Sequence, residues 1–227
     1  FVTMHLQQGE RAVLAAAAPL RVPNATDARV CDRALSADWR LYDAGALPAN
    51  RRLLAYHPAL GERGETNVGE YNLTGENGEI RGETLVVRFA QCGFGETAPL
   101  PQQGPGRYIC EIFPHPAHVY FFNLAKTLKY KAKARRTTAL RHAEYARYQR
   151  YLATLTTATP PLQGTSQLLA TDVATLRGHS LKVYEDTLDA VTCAYTGLYL
   201  WHHGPAKTRV YGTIATGHIL TPPLPHD

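Results

Sequence analysis

No stretch of this chain reaches the roughly 20 uninterrupted apolar residues that a membrane-spanning helix needs, because Arg, Lys, Glu, Asp or His interrupts every candidate run. No membrane partner is therefore expected. Phe1 to Leu6 has neither a basic flank followed by an apolar core nor a small-residue cleavage site, so no secretory signal is expected. The four cysteines, Cys31, Cys92, Cys110 and Cys193, never form a CxxC pair, which argues against a zinc site. Cys110 and Cys193 lie in apolar runs and read as buried thiols of a reducing, cytoplasmic compartment. Also missing are a GxSxG elbow, a GxxxxGK[ST] phosphate loop, an HExxH helix and a GxGxxG turn after a strand. The usual serine hydrolase, nucleotide-loop, zinc protease and dinucleotide readings lose their support with them.

What is present is a 227-residue chain with 44% hydrophobic and 19% charged residues and no low-complexity tract, a composition that buries enough apolar surface to offset chain entropy. One globular domain over residues 1–227 is expected. The formal charge of +5 and the pI near 9.0 suit a polyanionic partner. The excess is local. Between Lys126 and Arg150 a run of cations, including Lys129, Lys131, Lys133, Arg135, Arg136, Arg141 and Arg147, meets the single acid Glu144. Tyr130, Tyr145, Tyr148 and Tyr151 are interleaved with them, a pattern that suits phosphate neutralisation with base stacking, or else a solvated helix face.

Along the chain, 11–20 reads as a short apolar strand closed by Pro19, and 22–52 as a loop with short helical pieces. The Gly-rich segment 57–82 reads as a long surface loop or hairpin. A helix is expected over 83–92 with Gly93 as its C-cap, and a strand over 107–113 stopped by Pro114. Helices follow over 116–124, about 131–155, 163–176 and 181–203, the last with Leu188, Val191, Tyr195 and Leu198 on one stripe. Closing strands are expected at 209–211 and 218–220.

Two acidic groups draw attention. Helical spacing places Glu185, Asp186 and Asp189 within one turn of each other, where they suit Mg²⁺ or Mn²⁺ or, equally, the positive end of the helix dipole. Glu111 alternates with Cys110 and Ile112 in an apolar strand, which makes it either a candidate ligand or a residue of the exposed face. His115, after Pro114, suits a metal, a phosphate or an ordinary loop hydrogen bond. Arg33, Arg51 and Arg52 lie near Asn50 in loop sequence and suit bidentate contact with a phosphate or anchoring of the loop itself.

The blocks APLRVPN at 18–24, VCDRAL at 30–35, PANRRLL at 48–54, RGE at 81–83, CGF at 92–94, CEIFPHPA at 110–117, LKYKAK at 128–133 and EDTLDAVTCAYTG at 185–197 together resemble the domain-of-unknown-function family 429. Its members are described as predicted RNase H-like nucleases. The resemblance implies an α/β fold, a mixed five-stranded RNase H-like sheet flanked by helices, with acids on strands and on the last helix holding two divalent ions that activate water. It puts Glu111 at a later-strand position and Asp189, with Asp186, at the helical one. Two departures stand out. Phe1 to Gln8 reads as a helix where the pattern would have its opening strands, so the first strands are expected to be missing. At 16–20 the chain reads Ala-Ala-Ala-Pro-Leu, with Ala17 where the family pattern carries an acid.

Two functional classes follow. One is a Mg²⁺- or Mn²⁺-dependent nuclease with a depleted site, in which Glu111, Asp189 and Asp186 are catalytic, these three and Glu185 hold metal, and Arg33, Arg52, His115, Lys129, Lys131 and Arg136 bind substrate. The other is a non-catalytic module that keeps the same scaffold and binds nucleic acid or a protein through the basic segment. An enzyme acting on a small phosphorylated molecule is a third, weaker option.

Overall fold

The computed structural model describes residues 3–5, 11–54 and 80–225. Its centre is strand β2 (Ala12–Ala16), whose five residues are all apolar and all buried, as a strand covered on both faces requires. β2 pairs in parallel with β4 (Arg107–Glu111), from Ala12 against Arg107 to Ala16 against Glu111. β4 pairs in parallel with β3 (Phe94–Glu96), and β1 (Thr3–His5) runs antiparallel along the outer side of β2, giving the order β1-β2-β4-β3. A hairpin of β5 (Arg209–Thr213) and β6 (Gly217–Thr221) joins this sheet through a bridge from Leu220 to Ile112. The fold is mixed α/β, with a parallel centre and helices packed on the sheet.

The period-two alternation of strand side chains decides what each face meets. Val13, Ala15, Cys110 and Ile112 turn to one face and pack against Cys193, Leu198 and Trp201 of α7 (Gly178–His203). Ala12, Leu14, Ala16 and Ile109 turn to the other, against Leu20, Phe94 and Val86 of α3 (Arg81–Gln91). The close approach of α7 depends on Gly197, where an added Cβ would sit 3.1 Å from Val13 Cγ1 and 3.2 Å from the Ala15 Cβ. A further core joins α7 to α4 (Pro114–Phe121) and α5 (Thr138–Thr154) through Phe122, Tyr130, Tyr145, Tyr148 and Leu188. Trp39 of α1 (Val30–Trp39) donates to the Tyr211 hydroxyl at 2.8 Å and ties the hairpin to that helix.

Several expectations need correction. Thr3–His5 is a strand, not part of a helix, so a strand stands where none was expected, and the main sheet has four strands among the described residues. Of the expected long loop, 57–79 lie outside the described residues, while Arg81 and Gly82 already belong to α3. The basic helix begins at Thr138 rather than near Lys131, because Thr137 caps it by accepting from the Leu140 amide and Arg135 takes a left-handed backbone with φ of 68°. In place of a helix over 163–176 there is one turn, α6 (Ser166–Leu169), and a short 3₁₀ turn capped by Asp172. The stripe Leu188, Val191, Tyr195 and Leu198 is buried as its spacing predicts.

Because the sheet and α7 touch at a missing side chain, Gly197→Leu is expected to overpack this contact at a cost of about 1–3 kcal/mol. Urea denaturation reads this as a lowered midpoint, and an unchanged midpoint would contradict the packing described.

Candidate functional site

The carboxyl ends of the parallel strands are where open α/β sheets usually bind ligands. Here that end is filled from within the chain. Glu111 shares a face with Ile109 and is buried there, with its Oε2 accepting from the Leu20 amide at 2.9 Å. Arg29, just before α1, donates to both of its oxygens, at 2.9 and 2.6 Å, and to the Asp32 carboxylate at 2.7 Å. Asp32 also accepts from the Ala49 amide at 3.0 Å. Burial pushes the Glu111 carboxyl up while Arg29 and the Leu20 amide pull it back. For Arg29 itself, burial disfavours the charge, but Glu111 and Asp32 more than offset this and hold the guanidinium cationic.

Beside this triad, Arg21 binds Glu96 at the end of β3 at 2.8 Å. The second Glu96 oxygen and His218 Nδ1, both buried without a hydrogen-bond partner among the described residues, face each other at 3.6 Å. His218 Nε2 accepts from the Glu111 amide at 3.4 Å. Ala17 is exposed just past the end of β2, one residue beyond the partner of Glu111.

The acids of α7 lie beyond the other face of the sheet. Asp189 is buried, accepting from the Tyr130 hydroxyl at 2.5 Å and pairing with Lys131 at 2.9 Å. Glu185 accepts from Tyr145 at 2.7 Å and pairs with Lys182 at 3.0 Å, and the exposed Asp186 pairs with the same lysine at 2.9 Å. Tyr130, Tyr145 and Tyr148 are fully buried and Tyr151 stacks on Phe122, so none of these is a platform for bases. Buried hydroxyls need partners, and these tyrosines find theirs in the carboxylates and backbone of α7.

Between α4 and α5 the chain runs through an irregular basic segment that lines a cavity of about 350 Å³. Its walls are Lys129, Lys131, Lys133, Arg136, Thr127, Leu128, His115 and Asp43. The segment is fixed by the Thr127 amide on the Tyr42 carbonyl, the Lys129 amide on Glu144 at 2.7 Å, and Arg141 on the Tyr130 carbonyl at 2.9 Å. Lys129 binds Asp43 at 2.7 Å and holds its carboxyl below the usual range. His115 Nε2 is buried with no hydrogen-bond partner among the described residues. Burial, then the charges of Lys131, His118, Lys133 and Lys129, push this ring well below the usual histidine range and keep it neutral.

The structure thus gathers His115, Lys129, Lys131 and Arg136 around one cavity and adds Lys133 and Asp43 to them. It leaves Arg33 and Arg52 elsewhere, both exposed, with Arg33 donating to the Ala28 carbonyl. Glu111 and Asp189 are not brought together, because alternation along β4 turns Glu111 away from the face that α7 covers. Among the described residues no group of three or more His, Cys, Asp or Glu is placed to share a metal ion. Mg²⁺ and Mn²⁺ need open oxygen ligands, and the oxygens of Glu111, Asp189 and Glu185 already face cations or donors of the chain. As arranged, these side chains do not fit a divalent ion. The residue that sequence reasoning missed is Arg29, whose signal is its place one residue before a helix with an acid three positions on.

Two outcomes are expected of these buried charges. Arg29→Met leaves Glu111 and Asp32 buried without their counter-charge and is expected to cost about 3–5 kcal/mol, read from the denaturant midpoint. The second concerns His118, buried between Thr127 and Tyr148 and pushed down to about 3 by burial and Lys131, and His218, pushed down to about 4 by burial, Arg29 and Arg21. An unfolded histidine takes up its proton near 6.5, so below that pH the unfolded chain binds more protons than the folded one. Stability is therefore fully present above about pH 6.5 and is lost on acidification toward pH 4, by at most about 1.4 kcal/mol per pH unit per histidine. Urea unfolding at pH 7, 6 and 5 checks the slope, and a flat profile would contradict it.

No curated protein and no solved structure matches the chain. The family model described as "Protein of unknown function (DUF429)" matches residues 3–213, nearly the whole length. The block order, the parallel sheet centre and the long final helix accompany that match: this chain belongs to the DUF429 family.

Proposed function

We propose that the chain is a non-hydrolytic module on an RNase H-like scaffold that binds phosphate-bearing ligands, nucleic acid among them, through the cavity beside Lys131. The observation that carries this reading is the division of charge. Lys129, Lys131, Lys133 and Arg136 converge on one cavity, while each carboxylate expected to hold metal is matched by a cation of the chain itself. Lys133 and Arg136 have no carboxylate partner among the described residues, which leaves their charge for a ligand. The parallel strands backed by a long last helix support the RNase H-like scaffold.

Metal-dependent phosphodiester hydrolysis is the competing reading. It would require Arg29 to leave Glu111 and both Tyr130 and Lys131 to leave Asp189, and Ala17 supplies no replacement acid. These requirements favour binding over turnover.

The test uses a labelled single-stranded oligonucleotide followed by fluorescence anisotropy. Binding is expected in EDTA, with affinity falling steeply as salt rises. Lys133→Ala and Arg136→Ala are each expected to reduce the log-log salt slope by about 1 while leaving the unfolding midpoint in place. Mn²⁺-dependent cleavage that disappears in Asp189→Asn would overturn the reading in favour of a nuclease. Binding indifferent to both cation substitutions overturns it as well.

A further inference from the structure

We propose that the Lys129–Arg136 cavity selects a phosphomonoester, the doubly charged phosphate at the end of a nucleic-acid chain or on a mononucleotide, over the singly charged diester of a strand interior. The inference rests on the binding reading above and narrows its ligand.

Charge is the first argument. Lys129 is matched by Asp43, which Lys126 also approaches, and Lys131 is matched by Asp189 behind the wall. Lys133 and Arg136, the latter donating to the Lys131 carbonyl at 3.0 Å, have no carboxylate partner among the described residues, so two positive charges at the cavity remain unmatched there. A phosphomonoester carries about −1.5 to −2 at neutral pH, whereas a diester carries one negative charge. The balance at this cavity is that of the monoester.

Shape is the second. Strand-tracking sites pair a cationic groove with exposed aromatic rings on which successive bases stack. Tyr130, Tyr145 and Tyr148 are instead spent inside the core on Asp189, Glu185 and the α7 backbone, and Tyr151 stacks on Phe122. What remains accessible is a cavity of about 350 Å³, near the lower end of small-ligand sites, with cations on its walls and no stacking platform among its lining residues. It has room for one phosphoryl group and the sugar that bears it.

The third is an unmet hydrogen-bonding group. His115 is one of the residues that line the cavity, and its Nε2 is buried without a hydrogen-bond partner among the described residues. Buried polar groups without partners are uncommon and call for an explanation. Thr127, also in the wall, shares its hydroxyl with His118 at 3.1 Å.

The experiment compares two versions of one short labelled single-stranded oligonucleotide, with a 5′-phosphate or a 5′-hydroxyl, binding to the full chain. The phosphorylated form is expected to bind at least about tenfold tighter, since charge-assisted contacts of the kind offered here are roughly twice as strong as neutral ones. Lys133→Ala and Arg136→Gln should each erase that preference, and Arg88→Ala, on the exposed side of α3, should retain it. A nucleoside 5′-monophosphate that competes fully identifies the free mononucleotide as sufficient. If it fails to compete while the phosphorylated oligonucleotide binds, the ligand is the phosphorylated chain end. Equal binding of the two oligonucleotides overturns the inference and leaves the broader binding reading standing, whereas no binding of either overturns both.

Discussion

The guanidinium of Arg29 joins three pieces of chain in one buried knot. It holds the end of β4 through Glu111, the start of α1 through Asp32, and the loop after β2 through the Arg21 carbonyl. Asp32 extends the same knot to the segment before α2 (Arg51–Leu54) through the Ala49 amide. A buried ionic group of this kind adds little net stability relative to a well-packed apolar one, but it is costly to break in half. Its value lies in register: carboxylates, guanidinium and amides match in one arrangement, and that arrangement fixes the ends of the parallel strands.

The same knot shapes the chemistry. A sheet whose strand ends carry Glu96 and Glu111 would present negative charge to any visiting cation. Arg21 and Arg29 are already in that position, so the strand ends form an electrically closed core. The opposite face of the sheet is handled differently, with Asp189 and Glu185 shared among tyrosines, Lys131, Lys182 and Arg141. There the carboxylates serve to place cations, and the cations continue past them into the cavity.

Elements whose pattern follows from burial were legible in the sequence. β4 was marked by alternation and Pro114, and the core stripe of α7 by its spacing, because in each case the solvent boundary itself writes the pattern. Elements set by a single local contact were harder to read. The start of α5 depends on the Thr137 cap and the turn at Arg135, which basic composition hides. The tyrosines interleaved with the basic residues were read as stacking partners for bases or as part of a solvated helix face, yet three of them turn inward, where Tyr130 and Tyr145 satisfy acids of α7 and Tyr148 its backbone. Of the site, His115, Lys129, Lys131 and Arg136 were read as substrate contacts, but together with Arg33 and Arg52, which lie elsewhere. The separation of Glu111 from Asp189 was not legible, since it depends on which face of β4 the last helix covers.

The basic segment has one more property, and it follows from how it is fastened. Thr127, Lys129 and Tyr130 are each held through backbone atoms by distant parts of the chain, so the wall has its shape before anything enters. A wall built this way gives up little conformational freedom when a ligand arrives, and more of each contact formed appears as affinity. Discrimination between ligands then shows mainly in how long each one stays, because a prearranged wall offers every anion the same entry and only the matched one a full set of partners on leaving.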